Sequence, residues 1–86
     1  MENLSDLPNI GLKLAILLEE AGIKTEKDLK DIGSERAWLQ LKAIDKGACL
    51  SKLYALEGAI QGIRWHDLTK ARKEELKHFC NAEGCK

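Results

Sequence analysis

The sequence predicts an all-α fold, a single compact domain of about five helices, and three observations carry that prediction. No stretch alternates apolar and polar residues for long enough to make a strand. Apolar residues recur at helical spacing through every segment, and glycines followed by a hydroxyl or acidic residue mark where one helix stops and the next starts. At 86 residues the chain has room for one modest core over 1–86, because a domain of this size buries only roughly 60% of the surface its unfolded chain exposes.

The elements follow in order. The stretch "LPNIG" at 7–11 reads as a tight turn. Pro8 fixes one torsion, Asn9 tolerates positive φ, and Gly11 is expected to supply the conformation that gathers successive backbone N–H groups at the next helix start. Such a turn is an anion nest at a helix N-terminus. The first helix is expected over about 11–21, stopped by Gly22, a residue suited to the left-handed conformation past a helix end. Thr25 with Asp28 resembles a capping pair that opens a short second helix to about Ile32, and Gly33 ends it. Ser34 is expected to cap the third helix, with Trp38, Leu39 and Leu41 on its buried side up to about Ile44.

Asp45-Lys46-Gly47 is a turn, and Leu50 to Gly62 forms the fourth helix. Leu50, Leu53, Leu56, Ile60 and Ile63 are apolar, and Ala55, Gly58, Ala59 and Gly62 occupy its other sides, so this helix is central. Gly58 and Gly62 also let another backbone approach closely, at about 1 kcal/mol each in helix propensity. Thr69 caps a last helix to about Cys80, and 81–86 is expected to fray. A faint internal echo joins "AGIKTEKDL" at 21–29 to "QGIRWHDL" at 61–68. It reads either as duplication or as the recurrence of helix stop and new cap.

Composition narrows the function. Hydrophobic residues make up 44% and charged residues 33%, outside the range of disordered chains. The longest apolar run, Leu14 to Leu18, is five residues, where a membrane span needs about 20, and the start lacks the basic residues of a signal peptide. A cytoplasmic protein is expected. Cys49, Cys80 and Cys85 are an odd count without framework spacing, which fits a reducing compartment better than a disulfide scaffold.

Fourteen basic and fourteen acidic residues cancel, so no overall field draws the chain to nucleic acid. Residues 1–33 carry four lysines against seven acids, whereas 64–86 carry six basic residues against four acidic. The turn at 7–11 therefore sits in the acidic third.

The turn resembles the helix-hairpin-helix motif of non-sequence-specific DNA-binding proteins through Leu7, Pro8, Ile10, Gly11, Lys13, Ala15, Leu18, Ala21, Gly22 and Ile23. The resemblance implies a helix-hairpin-helix-like corner within the all-α domain. At Leu14 such hairpins usually carry Thr or Ser, and at Ile16 and Leu17 often Glu or Lys, so only Lys13 and backbone amides remain as phosphate donors. A broader resemblance runs through "LPNIG", "EEAGIKTEKDL", "LQLKA", "LYALEGAIQGIRWHDL" and "RKEEL", in that order. It is similar to the C-terminal domain of the TfoX (Sxy) family, regulators of natural competence for DNA uptake. Members of that family often carry a preceding domain, so the chain is expected to be a stand-alone copy.

Two function classes stay open. The first is a non-enzymatic regulatory module acting through protein contacts or self-association. On a helical wheel Leu14, Leu17, Leu18 and Ala21 form one apolar side of the first helix, and Leu12 and Ile16 form a second. Leu12 and Ile16, with Tyr54 and Gln61, are the candidate protein-contact residues. The second class is a weak DNA-binding module using Asn9, Ile10, Gly11 and Lys13 of the turn together with Arg64, Lys70, Arg72, Lys73 and Lys77. A protein partner or homodimer is expected, and nucleic acid only weakly.

The remaining candidates read as structural. Glu57 lies at the border of the apolar stripe of the fourth helix and needs partners there, a backbone N–H or the indole of Trp65. The alternative is a contact patch of Tyr54, Glu57, Gln61 and Arg64. Trp38 and Trp65 are expected as core anchors, and Gly22, Gly58 and Gly62 as backbone devices. His66, His78, Cys80 and Cys85 could be written as four zinc ligands, but their spacing is poor. With no nucleophile pattern, P-loop or dinucleotide fingerprint, no catalytic residue, metal, cofactor, small-molecule substrate or membrane partner is expected.

Overall fold

The computed structural model describes residues 4–84. Five α-helices follow a short 3-10 turn at Leu4–Asp6: α1 (Leu12–Glu20), α2 (Glu26–Ile32), α3 (Ser34–Ile44), α4 (Leu50–Gln61) and α5 (Lys70–Ala82). A second 3-10 turn, Trp65–Asp67, links α4 to α5. There is no strand among the described residues. None of their helices is long and apolar enough to cross a membrane.

α4 is the central element, as its apolar pattern predicts, with Leu53, Ala55, Leu56, Glu57, Gly58 and Ala59 all buried. α3 and α5 pack against it, α2 touches both α3 and α4, and α1 packs on α3. Leu18, Leu29, Leu41, Leu53, Leu56 and Leu76 are fully enclosed around Trp38. The Trp38 indole N–H donates to the carbonyl of Cys49 at 3.1 Å, and its ring meets Phe79 edge-on at 6.0 Å. A large aromatic anchor with its one polar atom satisfied defines the middle of a small core.

The helix ends explain the sequence echo. Gly22 (φ 95°) and Gly62 (φ 74°) both take the left-handed side of backbone space. After α1, Gly22 N donates to Glu19 O at 3.0 Å and Ile23 N to Leu18 O at 2.8 Å. After α4, Gly62 N donates to Ala59 O at 3.1 Å and Ile63 N to Gly58 O at 2.9 Å. This is the same Schellman cap twice. Thr25 and Thr69 then accept from Asp28 N and Arg72 N at 3.0 and 3.1 Å, opening α2 and α5 in the same way.

Four expectations are corrected or refined. Ser34 is the first residue of α3 and is buried, and the N-cap is Gly33, which alone separates α2 from α3. Trp65 packs against the edge of the core and is half-buried there, unlike the fully enclosed Trp38. α5 runs past Cys80 to Ala82. Cys49 is a free thiol, but Cys80, fully buried in the last helix, is disulfide-bonded; Cys85 lies outside the described residues.

Candidate functional site

In the turn at 7–11 the backbone conformation of Gly11 differs from the one the sequence suggests. Positive φ falls on Asn9 (69°), whereas Gly11 is extended at φ −85°, ψ 176°. The left-handed Asn9 turns its side chain inward. Its Nδ2 donates to Ile63 O at 2.9 Å, and its Oδ1 accepts from Trp65 N at 3.0 Å. Ile10 is buried, and its amide donates to Leu7 O at 3.3 Å. Asn9 and Ile10, expected as nucleic-acid contacts, are instead parts of an internal joint that ties the N-terminal turn to the end of α4. The arm before the turn is a three-residue 3-10 segment, so the described residues do not form a hairpin between two helices.

The joint depends on Gly58. A Cβ there would meet Asn9 Nδ2, Ile63 O at 2.8 Å and Trp65 Cα at 3.1 Å. Only glycine lets the turn and the α4 end approach so closely. Gly62 has nothing within 4 Å of a built Cβ, so its role is the left-handed cap alone.

Outward from the joint, Gly11, Leu12 and Lys13 are exposed. A groove of about 310 Å³ beside them is lined by Gly11, Lys13, Leu14, Leu17 and Lys52. Lys52 lies against Asp45, Nζ to Oδ2 2.6 Å. That hydrogen bond, followed by the one from Gly47 N, holds the Asp45 carboxyl below its ordinary value. The charge of Lys52 is thus already matched, and Lys13 also acts on Asp45 through its charge, which leaves too little for more than one or two phosphate contacts.

The basic run on α5 is also divided. Arg72 Nη2 donates to Glu57 Oε1 at 3.0 Å, and Nη1 lies 3.3 Å from Glu75 and 3.9 Å from Glu35. Lys73 donates to His66 O at 3.2 Å and sits 5.7 Å over the Trp65 ring. Arg64, Lys70 and Lys77 stand in solvent.

Glu57, 8% exposed, is the hub of a polar cluster. It accepts from the Ser34 hydroxyl at 2.6 Å, from Gln61 Nε2 at 2.6 Å and from Arg72. Burial pushes its carboxyl up, but the hydrogen bonds from Arg72, Ser34 and Gln61 outweigh that and hold it below its ordinary value. These are not the partners expected from the sequence: neither a backbone N–H nor the Trp65 indole is among them. Gln61, expected as a contact residue, spends its side-chain amide on Glu57. Tyr54 is half-buried, stacked on Trp65 at 5.7 Å, with its hydroxyl 3.4 Å from Lys73 O. Among the described residues, no group of three or more His, Cys, Asp or Glu is placed to hold a metal ion.

Among the described residues Leu12, Ile16 and Ile44 are the large apolar side chains left exposed, and two of them share one face of α1. Leu12 is 71% and Ile16 50% exposed, on a helix whose opposite side buries Leu18 completely. Lys13, Glu19 and Glu20 share that exposed side. A hollow of about 390 Å³ next to Ile16 is lined by Ile16, Glu19, Glu20 and Lys24. The sequence places Leu12 and Ile16 on a second apolar face, and the structure leaves that face in solvent.

Comparison with known proteins assigns the family. The family model of the TfoX C-terminal domain matches residues 1–80. Protein Sxy of Escherichia coli K12 is 37% identical over 81 residues, which cover 94% of this chain and 39% of that protein. The DNA transformation protein TfoX of Haemophilus influenzae is 36% identical over 76 residues, covering 88% of this chain and 35% of that protein. The chain thus spans well under half the length of these two relatives. An uncharacterised Listeria monocytogenes protein, solved in a triclinic crystal form, superposes with a TM-score of 0.91 at 54% identity, covering 98% of this chain and 97% of that one. A Listeria monocytogenes protein of unknown function in a tetragonal form gives 0.91 at 56% identity, over 94% and 99%. The chain belongs to the TfoX C-terminal domain family.

Proposed function

We propose that the chain is a non-enzymatic regulatory module, related to competence regulators, that works through protein contacts made by the exposed face of α1. The observation that carries this reading is the exposure of Leu12 (71%) and Ile16 (50%) on a helix whose other side buries Leu18. Large apolar side chains adjacent on one helix face favour a protein partner over a solvated role. The inward-turned Asn9 and the Lys52–Asp45 pair support the same reading, because they remove donors from the competing one.

A second reading is favoured by one observation. The first turn of α1 carries no acidic residue, and Lys13 borders the groove there. With Arg64, Lys70 and Lys77 exposed, weak non-sequence-specific DNA binding is its functional form.

The two separate in a hybrid. The matching segment of Haemophilus influenzae TfoX is replaced by this chain, and transformants are counted. The proposal expects Ile16→Glu to lower the count at least tenfold at unchanged protein level, and Lys13→Glu to leave it within about twofold. The reverse pattern supports the DNA reading. A hybrid without transformants in its unmutated form counts against both.

A further inference from the structure

The charges of α1 are arranged against its own helix. Lys13 stands in the first turn, which has no acidic residue, and Glu19 and Glu20 stand in the last, which has no basic one. A helix is positive at its N-terminus and negative at its C-terminus, so this order costs stability where the reverse would add it. The exposed side therefore calls for a second explanation, and geometry supplies one. Lys13 and Glu20 are seven residues apart and form one row along the helix; Leu12 and Glu19 form another; Ile16 lies between the rows.

We infer that this face binds a second copy of the chain, α1 against α1, antiparallel about a two-fold axis at Ile16. The inference rests on the protein-contact reading above and names the partner. Reversing the helix about Ile16 brings Lys13 beside Glu20 of the second copy, within about 1.5 Å of axial register, and the symmetry makes the pair twice. Each lysine then faces the negative end of the opposite helix, and each glutamate the positive end, so the charge order that is wrong for one helix is right for two. The other row carries Leu12 of the second copy to the hollow lined by Ile16, Glu19, Glu20 and Lys24. There its apolar side chain covers Ile16 and the methylene stems of the glutamates. The contact is isologous, as two-fold dimers require. One face of a nine-residue helix buries less than a standard interface, so the dimer is weak, with a dissociation constant on the order of 10–1000 μM.

Sedimentation equilibrium of the whole chain across that range tests it. The wild type is expected to associate as monomer and dimer. Ile16→Glu is expected to weaken association by roughly tenfold or more with an unchanged circular dichroism spectrum. Lys13→Glu and Glu20→Lys are each expected to weaken it about two- to fivefold, and the double exchange to restore it. A wild type that stays monomeric to millimolar concentration overturns the inference, as does an Ile16→Glu variant that associates normally or a double exchange no better than either single one. If the wild type is monomeric while the hybrid still depends on Ile16, the partner is another protein and the protein-contact reading stands. If the hybrid is also indifferent to Ile16, both fall.

Discussion

Asn9 and Trp65, 56 residues apart in sequence, are joined by a hydrogen bond in which the Trp65 backbone N–H donates to Asn9 Oδ1 at 3.0 Å. With the second bond from Asn9 Nδ2 to Ile63 O at 2.9 Å, one side chain replaces the partners that two stretches of irregular backbone would otherwise seek in water. Asn9 thus ties the N-terminal turn to the end of α4 and uses both atoms of its amide within the fold.

Replacing Asn9 with Ala should destabilise the domain by about 2–3 kcal/mol. The substitution strands the Trp65 N–H and the Ile63 carbonyl and leaves a residue with a Cβ at φ 69° without the local side-chain bonding that favours Asn there. Thermal unfolding checks it, at about 4–8 °C per kcal/mol for a domain of this size.

Gly58→Ala should also destabilise, by about 1–3 kcal/mol, even though alanine gains about 1 kcal/mol in helix propensity. The new Cβ would lie 2.8 Å from Ile63 O and 3.1 Å from Trp65 Cα, both backbone atoms held in place by the Asn9 bonds. A Gly58→Ala variant as stable as the wild type would show that the joint can open without cost.

The Glu57 cluster predicts a pH dependence. The folded-state pKa of Glu57 is lowered, so its carboxylate contributes stability that is fully present above the unfolded value of about 4.3. That stability is lost as pH falls through the lower folded value. Chemical denaturation midpoints for the wild type should drop below pH 4 more steeply than those of Glu57→Gln. At pH 7, Glu57→Ala should cost roughly 1–3 kcal/mol by stranding Ser34 and Arg72.

Chelator should leave the helical content unchanged. No described cluster of His, Cys, Asp or Glu is arranged for a metal ion, and the core is closed by leucines around Trp38. Circular dichroism before and after dialysis against chelator checks this, and melting on removal of stoichiometric zinc would contradict it.

Much of the fold was legible because its punctuation is local. Gly22 and Gly62 need only their own left-handed backbone to end α1 and α4, and Thr25 and Thr69 need only an amide three residues on. The apolar ring around α4 likewise announces a central helix. The polar joints were not legible, because their partners are tertiary. Ser34 and Arg72 lie 23 and 15 residues from Glu57, and no spacing rule points from one to the other. The turn at 7–11 shows the same limit in a sharper form. Its residues suit a phosphate nest, but whether Asn9 faces outward or inward depends on Gly58, which allows the end of α4 to come within reach.

The most direct test of the account maps which part of α1 responds to which partner, by amide chemical shifts of the labelled chain titrated with a short DNA duplex at low and moderate salt. The account predicts small shifts at Gly11, Leu12 and Lys13 that do not saturate at low salt and vanish at moderate salt. Saturable shifts centred on those three amides, lost in Lys13→Glu and retained in Ile16→Glu, would contradict it and make the turn a phosphate site.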